Sequence, residues 1–251
     1  MKAISVKTTI IKLFTAIWLI LTLIAFFTSC QNAVSEIDIT EESTKEAAIQ
    51  KENAAFDIQK TLFIGDSNIY HLKSYGLLPA DQILTGKECY MTLEPSVCDK
   101  YVVLQSSGKE TKIADVISEL KPEFIVITLG TDGAYSLDKD GFCLSYTQLL
   151  DVIIDSSPES IIGVQSIFPV CEGEKDVRFK DVDKTNQKFS VANQWLKEIA
   201  EEYKIVYFDT ASVLPDADGK LKREFNTDHL DGYHLNREGL CKMLEYISKT
   251  H

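Results

Sequence analysis

The sequence is short of the residues that mark several large classes of protein. It holds only four histidines and six cysteines in 251 residues. No two cysteines are spaced C-x-x-C, which argues against a zinc ribbon. No cluster of Lys and Arg interrupts a chain of formal net charge -12. Nucleic-acid binding needs such clusters to displace counterions from the phosphates, so nucleic acid is not an expected partner. The same acidity disfavours broad docking on anionic lipid. G-x-S-x-G is absent, and with it the nucleophile elbow of ordinary α/β-hydrolases. The sequence has no internal repeat. The turn Pro215–Gly219 lacks the ligand spacing and closing Glu of a calcium loop.

What is present describes a globular chain with a leader. Hydrophobic residues make up 45% and charged residues 25%, enough for a sizeable core. Lys2, Lys7 and Lys12 precede an uncharged, mostly apolar run from Leu13 to Phe27, followed by Thr28-Ser29-Cys30. Basic head, apolar centre and small residues before a cut point make a secretory signal. The run resembles a bacterial lipoprotein signal over residues 1–30, which implies lipid on Cys30 and a membrane contact through that anchor. The alternative is an uncleaved membrane anchor, since the run is just below spanning length. Either puts the remainder outside the cytoplasm on a tether, at the outer face of the membrane or the cell surface. Residues 31–56 are rich in Glu, Lys, Ala, Ser and Thr and read as a charged, solvated linker. The folded domain is expected over residues 57–251. Five cysteines remain beside Cys30. Cys89 with Cys98 and Cys143 with Cys171 are conceivable pairs, and five free thiols the alternative.

Along that domain, short apolar runs alternate with helical patterns. Thr61 to Ile64 is a buried strand, ending at Gly65-Asp66-Ser67, with a helix-like segment from Ile69 to Tyr75. Gln82 to Thr85 and Tyr101 to Gln105 are short strands. Ile113 to Leu120 is helical in period and halts before Pro122. Phe124 to Leu129 is a continuous apolar run, as expected of a central parallel strand covered on both faces. Tyr146 to Ile154 is a helix, Ile161 to Gln165 a strand, Asn186 to Tyr203 a helix and Ile205 to Phe208 the last strand. Asn236 is placed to cap a final helix to about Ser248. Strands alternating with helices define one doubly wound α/β domain, whose sites lie at the carboxyl edge of the sheet.

Ser67 falls at that edge. It reads either as part of a helix cap with Asp66 or as a nucleophile, and a nucleophilic serine needs an imidazole base held by a carboxylate. His251 is the terminal residue, and His71, one helical turn after Ser67, reads as helix surface. This leaves the stretch from Thr227 to Leu235. Asp231 and His234 are three apart, with Gly232 allowing a tight turn between them. The pair reads as an orienting carboxylate and its base, or as a polar turn before the last helix. Asp228, His229, Asp231 and His234 could alternatively ligate a metal, though no further His/Cys cluster supports one.

Gly65-Asp66-Ser67, Gly86, Gly130-Thr131-Asp132-Gly133 and Asp231-Gly232-Tyr233-His234 occur in that order on compatible elements. In these four places the chain resembles the GDSL, or SGNH, hydrolases over roughly Lys60 to Ile247. The resemblance implies a single three-layer, flavodoxin-like α/β domain with a central parallel sheet. It also implies an enzyme acting on ester bonds without a cofactor. By it Ser67 is the nucleophile, His234 the general base and then acid, and Asp231 its orienting partner. Ser67, Gly86 and the side chain at position 132 form the oxyanion hole. Position 132 is aspartate where the family has asparagine, and an ionised carboxylate accepts hydrogen bonds but donates none. The expected activity is hydrolysis of short O-acyl esters, such as acetyl, on a small ester or an acylated carbohydrate. A catalytically impaired glycan-binding protein and an O-acyltransferase are the alternatives. Tyr135, Phe142, Tyr146 and Phe168 are candidates for a pocket lining or for the core.

Overall fold

The computed structural model describes residues 56–174, 178–227 and 231–250. The signal, Cys30 and most of the linker lie outside these residues. Among the described residues there are seven strands: β1 (Thr61–Gly65), β2 (Ile83–Gly86), β3 (Tyr101–Leu104), β4 (Glu110–Lys112), β5 (Phe124–Thr128), β6 (Ile161–Gln165) and β7 (Val206–Phe208). The same residues form six α-helices: α1 (Ser67–Ser74), α2 (Ile113–Leu120), α3 (Thr131–Ser136), α4 (Lys139–Ser156), α5 (Val182–Tyr203) and α6 (Arg237–Lys249).

The strands form one sheet in the order β4-β3-β2-β1-β5-β6-β7. From β2 to β7 all neighbours are parallel, the doubly wound arrangement that the alternating elements predicted. The β3 and β4 strands run antiparallel and extend the β2 edge as a ribbon. The sheet is therefore mixed at one edge, a feature absent from the sequence reading because β4 is a polar three-residue run, Glu-Thr-Lys.

Alternation along the central strands sorts the side chains into two layers. Leu62 and Ile64 of β1 and Ile125 and Ile127 of β5 pack with residues of α2, α4 and α5. Phe63 and Val126, one residue out of phase, pack with Ile69 and Leu72 of α1 and with Leu240 and Met243 of α6. Side chains alternate across a strand, so a buried run of five residues feeds both layers. Burying one Leu, Ile or Phe contributes about 1.5–3 kcal/mol, and every residue of β1 and β5 is buried.

The core also reaches beyond the expected boundary. Phe56, read as the end of the linker, is buried, with its ring 5.1 Å from Phe124 and 4.9 Å from Phe208. The five cysteines after Cys30 are free thiols, so neither candidate disulfide forms.

Candidate active site

The register of the sheet brings the singled-out turns to one edge. Gly65 ends β1 and is paired with Thr85 of β2 and with Thr128 of β5. Gly86 therefore stands one residue farther along the same carboxyl edge, and the turn from Gly130 to Asp132 leaves it from the next strand. Asp66 caps α1, its Oδ1 accepting the Asn68 backbone N–H at 2.9 Å, and Ser67 is the first residue of that helix. Both readings of the Gly-Asp-Ser turn hold together: the aspartate caps, and the serine is left at the edge.

The histidine arrives from the other end of the chain. Asn226 and Leu235 form an antiparallel bridge, and Asn236, the next residue, caps α6 through the Gly239 N–H. Leu235 N–H donates to Oδ1 of buried Asn68 at 2.8 Å, tying this loop to the residue after Ser67. Gly232 adopts φ +89°, and a Cβ there would lie 2.3 Å from the Cys171 carbonyl oxygen. Only glycine fits that backbone and that approach.

The result is a continuous hydrogen-bonded chain. Ser67 Oγ lies 2.7 Å from His234 Nε2, and His234 Nδ1 lies 2.6 Å from Asp231 Oδ2. The other oxygen of Asp231 accepts the backbone N–H groups of Tyr233 and His234, each at 3.0 Å, and the Asn226 amide at 3.3 Å. Burial alone would raise the Asp231 carboxyl. Hydrogen bonds from the His234 ring and from these backbone groups outweigh that and hold it far below the usual carboxylate range. An ionised Asp231 can only accept, so Nδ1 carries the proton and the Nε2 lone pair faces the serine hydroxyl. That tautomer can remove a proton from Ser67.

Other groups around the chain escaped the sequence reading. Asn226 bonds Asp231, the His234 carbonyl and the Gly232 N–H at once, an arrangement made only by the loop's return. His71, read as helix surface, is partly buried, with its ring 5.2 Å from that of His234. Tyr233 lies against His234 at 4.1 Å between ring centroids. Of the four aromatic candidates, only Phe168 lines the cleft. Phe142 and Tyr146 are fully buried core residues, and Tyr135 is exposed on α3.

The cleft beside Ser67 is small, about 30 Å³, and is lined by Asp66, Tyr90, Asp132, Phe168, Arg178 and Tyr233 among others. A wider groove of about 420 Å³ between α5 and the loops after β6 and β7 includes neither Ser67 nor His234. Burial raises the Asp66 carboxyl to about 6, against a hydrogen bond from Asn68 and the nearby positive charges. Asp132 is also pushed up by burial, with the Arg178 charge and a hydrogen bond from Tyr90 opposing. Arg178 Nη2 donates directly to Asp132 Oδ1. Among the described residues no group of three or more His, Cys, Asp or Glu could hold a metal; Asp228 and His229 lie outside them.

The three-layer α/β fold holds a serine, a histidine and an aspartate in hydrogen-bonded series at the carboxyl edge of its sheet, the arrangement that nucleophilic serine chemistry requires. The sequence profile of the GDSL-like lipase/acylhydrolase family matches residues 63–240. The chain belongs to this family and is an ester-hydrolysing enzyme. Comparison with curated proteins gave no match. Among solved structures, a candidate acylhydrolase of Bacteroides fragilis is similar at 15% identity and TM-score 0.51, over 82% of this chain and 93% of that one. A GDSL-like lipase of Bacteroides thetaiotaomicron is similar at 13% identity and TM-score 0.50, over 82% and 95%. A Streptococcus pneumonia structure described as a candidate platelet activating factor is 19% identical at TM-score 0.50, over 86% and 96%. At these identities the likeness is one of fold.

Proposed function

We propose that this chain is an exported, membrane-tethered serine esterase that removes short acyl groups, acetyl above all, from small esters or acylated carbohydrates. The observation that carries the reading is the Ser67–His234–Asp231 hydrogen-bonded chain. In the first half-reaction Ser67 Oγ attacks the ester carbonyl carbon as its proton passes to His234 Nε2. Asp231 stabilises the imidazolium that forms. The tetrahedral intermediate collapses, the C–O bond to the alcohol breaks, and the leaving oxygen takes the proton from His234. Water then repeats the sequence on the acyl-serine and releases the acid. The size of the cleft favours a short acyl group: about 30 Å³ is room for one or two water-sized groups. Support for an acylated sugar is the exposed ring of Tyr90 at the cleft mouth, a flat surface on which a sugar can rest. Export and tethering rest on the leader ending at Cys30.

The test is hydrolysis of a chromogenic acetyl ester by the soluble protein from Gln31 onward. Wild type is expected to turn over, and Ser67→Ala to lose at least about 10³-fold in kcat. A Ser67→Ala protein that hydrolyses the ester as fast as wild type would refute the assignment. Acyl chains beyond a few carbons are expected to react more slowly in the same assay.

A further inference from the structure

We infer that Arg178 supplies the oxyanion hydrogen bond that Asp132 cannot give, with Asp132 as the residue that positions its guanidinium. The inference rests on the serine-esterase reading above. It begins with a charge problem. Asp66 and Asp132 both line the cleft beside Ser67, where attack on an ester develops a further negative charge. Two carboxylates without a cation would oppose that charge. Arg178 is the single basic residue of the lining among the described residues.

Its position is built rather than incidental. The next residue, Phe179, is buried and packs edge-on against Tyr233 at 5.6 Å and Phe189 at 5.6 Å. That anchors the chain at the lip of the cleft, and the Arg178 guanidinium also lies over the Phe179 ring at 5.5 Å. One amino group is committed to Asp132. A guanidinium is a planar fork of five N–H donors, so one bond to Asp132 leaves others for a ligand in the cleft. Asp132 is only 19% exposed at its side chain. An asparagine at this position would donate to the oxyanion directly; here the aspartate accepts, and the donor is one residue further out and positively charged. A charged donor in this role binds a developing oxyanion more strongly than a neutral amide.

The test reads kcat for acetyl ester and, independently of any ester, the rate at which a fluorophosphonate labels Ser67, followed by mass spectrometry. In labelling, Ser67 Oγ bonds to phosphorus, the P–F bond breaks and fluoride leaves with the electron pair. The serine proton goes to His234, and the phosphoryl oxygen occupies the oxyanion position. Arg178→Ala is expected to lower both rates by about 10²-fold with little change in KM. Asp132→Asn placed in that variant should restore most of the loss, by returning a neutral donor. The deciding variant is Asp132→Ala combined with Arg178→Ala, which has neither charge nor donor. If Arg178 donates, this double variant stays about 10²-fold slow. If Arg178 merely neutralises Asp132, the double variant recovers the wild-type rate, and the inference falls. It falls equally if Arg178→Ala turns over like wild type while Ser67→Ala is inactive. Absence of Ser67 labelling in wild type would refute the esterase reading itself, and this inference with it. Thermal unfolding of each variant separates loss of fold from loss of rate.

Discussion

At the scale of single residues the site is a balance of carboxyls. Asp231 is ionised because four donors surround it, whereas Asp66 is poised near 6 because burial opposes its charge. The sign of the Asp66 effect on stability follows. Below pH 3.8 the carboxyl is neutral in folded and unfolded chains, and no penalty arises. As pH rises through 3.8 the unfolded chain ionises first, and the folded protein loses stability until pH passes about 6. Above that the penalty is full, at most about 3 kcal/mol. Asparagine caps a helix as well as aspartate does, so Asp66→Asn should keep the cap and remove the charge. The expected outcome is a gain of about 1–3 kcal/mol at pH 8 that vanishes near pH 3.5, read by urea unfolding at the two pH values. An equal gain at both would mean that burial of the charge is not the cause. The three residues of the hydrogen-bonded chain were legible, because Ser67, Asp231 and His234 each stand beside a glycine turn in short motifs. Arg178 and Asn226 were not. Each does its work through a contact made across 46 and 5 residues respectively, inside loops whose composition has no periodicity to read.

At the scale of elements, the strands and long helices were legible because their patterns are intrinsic. Ile113–Leu120 and Ile161–Gln165 have the bounds that their apolar periods suggest, and Asn236 caps α6 as its place before an amphipathic run indicated. The polar strand β4 and the six-residue α3 were missed, since neither is long enough to show a period. The helix α4 begins at Lys139, earlier than its apolar pattern, because Asp138 caps it through the Gly141 N–H. Turns depend on close approaches that only the fold reveals. Gly86 is the sharpest of these: a Cβ would sit 2.0 Å from the Tyr90 carbonyl oxygen. The chain between them is already strained, with Glu88 at φ 54° and Cys89 at φ 67°. Gly86→Ala must therefore push away the segment that carries Tyr90 and Met91 into the cleft. A loss of about 1–3 kcal/mol in unfolding free energy is expected, together with a loss of esterase rate larger than that of any change on α2. Gly76→Ala makes the control, because its positive φ of +65° carries strain but no neighbour lies within 4 Å; it should lose stability and keep its rate.

At the scale of the whole molecule, the separation of anchor and catalyst is the organising fact of the proposed function. The chain carries a net charge of -12, and the mature protein would be more acidic still once Lys2, Lys7 and Lys12 were removed with the leader. Such a domain is repelled by anionic headgroups, and no helix among the described residues is long and apolar enough to cross a membrane. The proposed residence at a membrane rests on lipid at Cys30, the anchor that the leader's pattern supports. Among the described residues the core begins at Phe56, and the Ser67–His234–Asp231 chain is made by residues of the folded domain. Expressed with its full leader in a bacterium, the protein is expected to take up labelled fatty acid and to partition into detergent. Cys30→Ala should abolish the label while leaving the esterase kcat of the solubilised protein at the wild-type value. A Cys30→Ala protein that stays in the membrane with residues 1–30 still attached, found by intact mass, would replace the lipid anchor with an uncleaved apolar one. A change in kcat on losing the lipid would overturn the independence of anchor and catalyst.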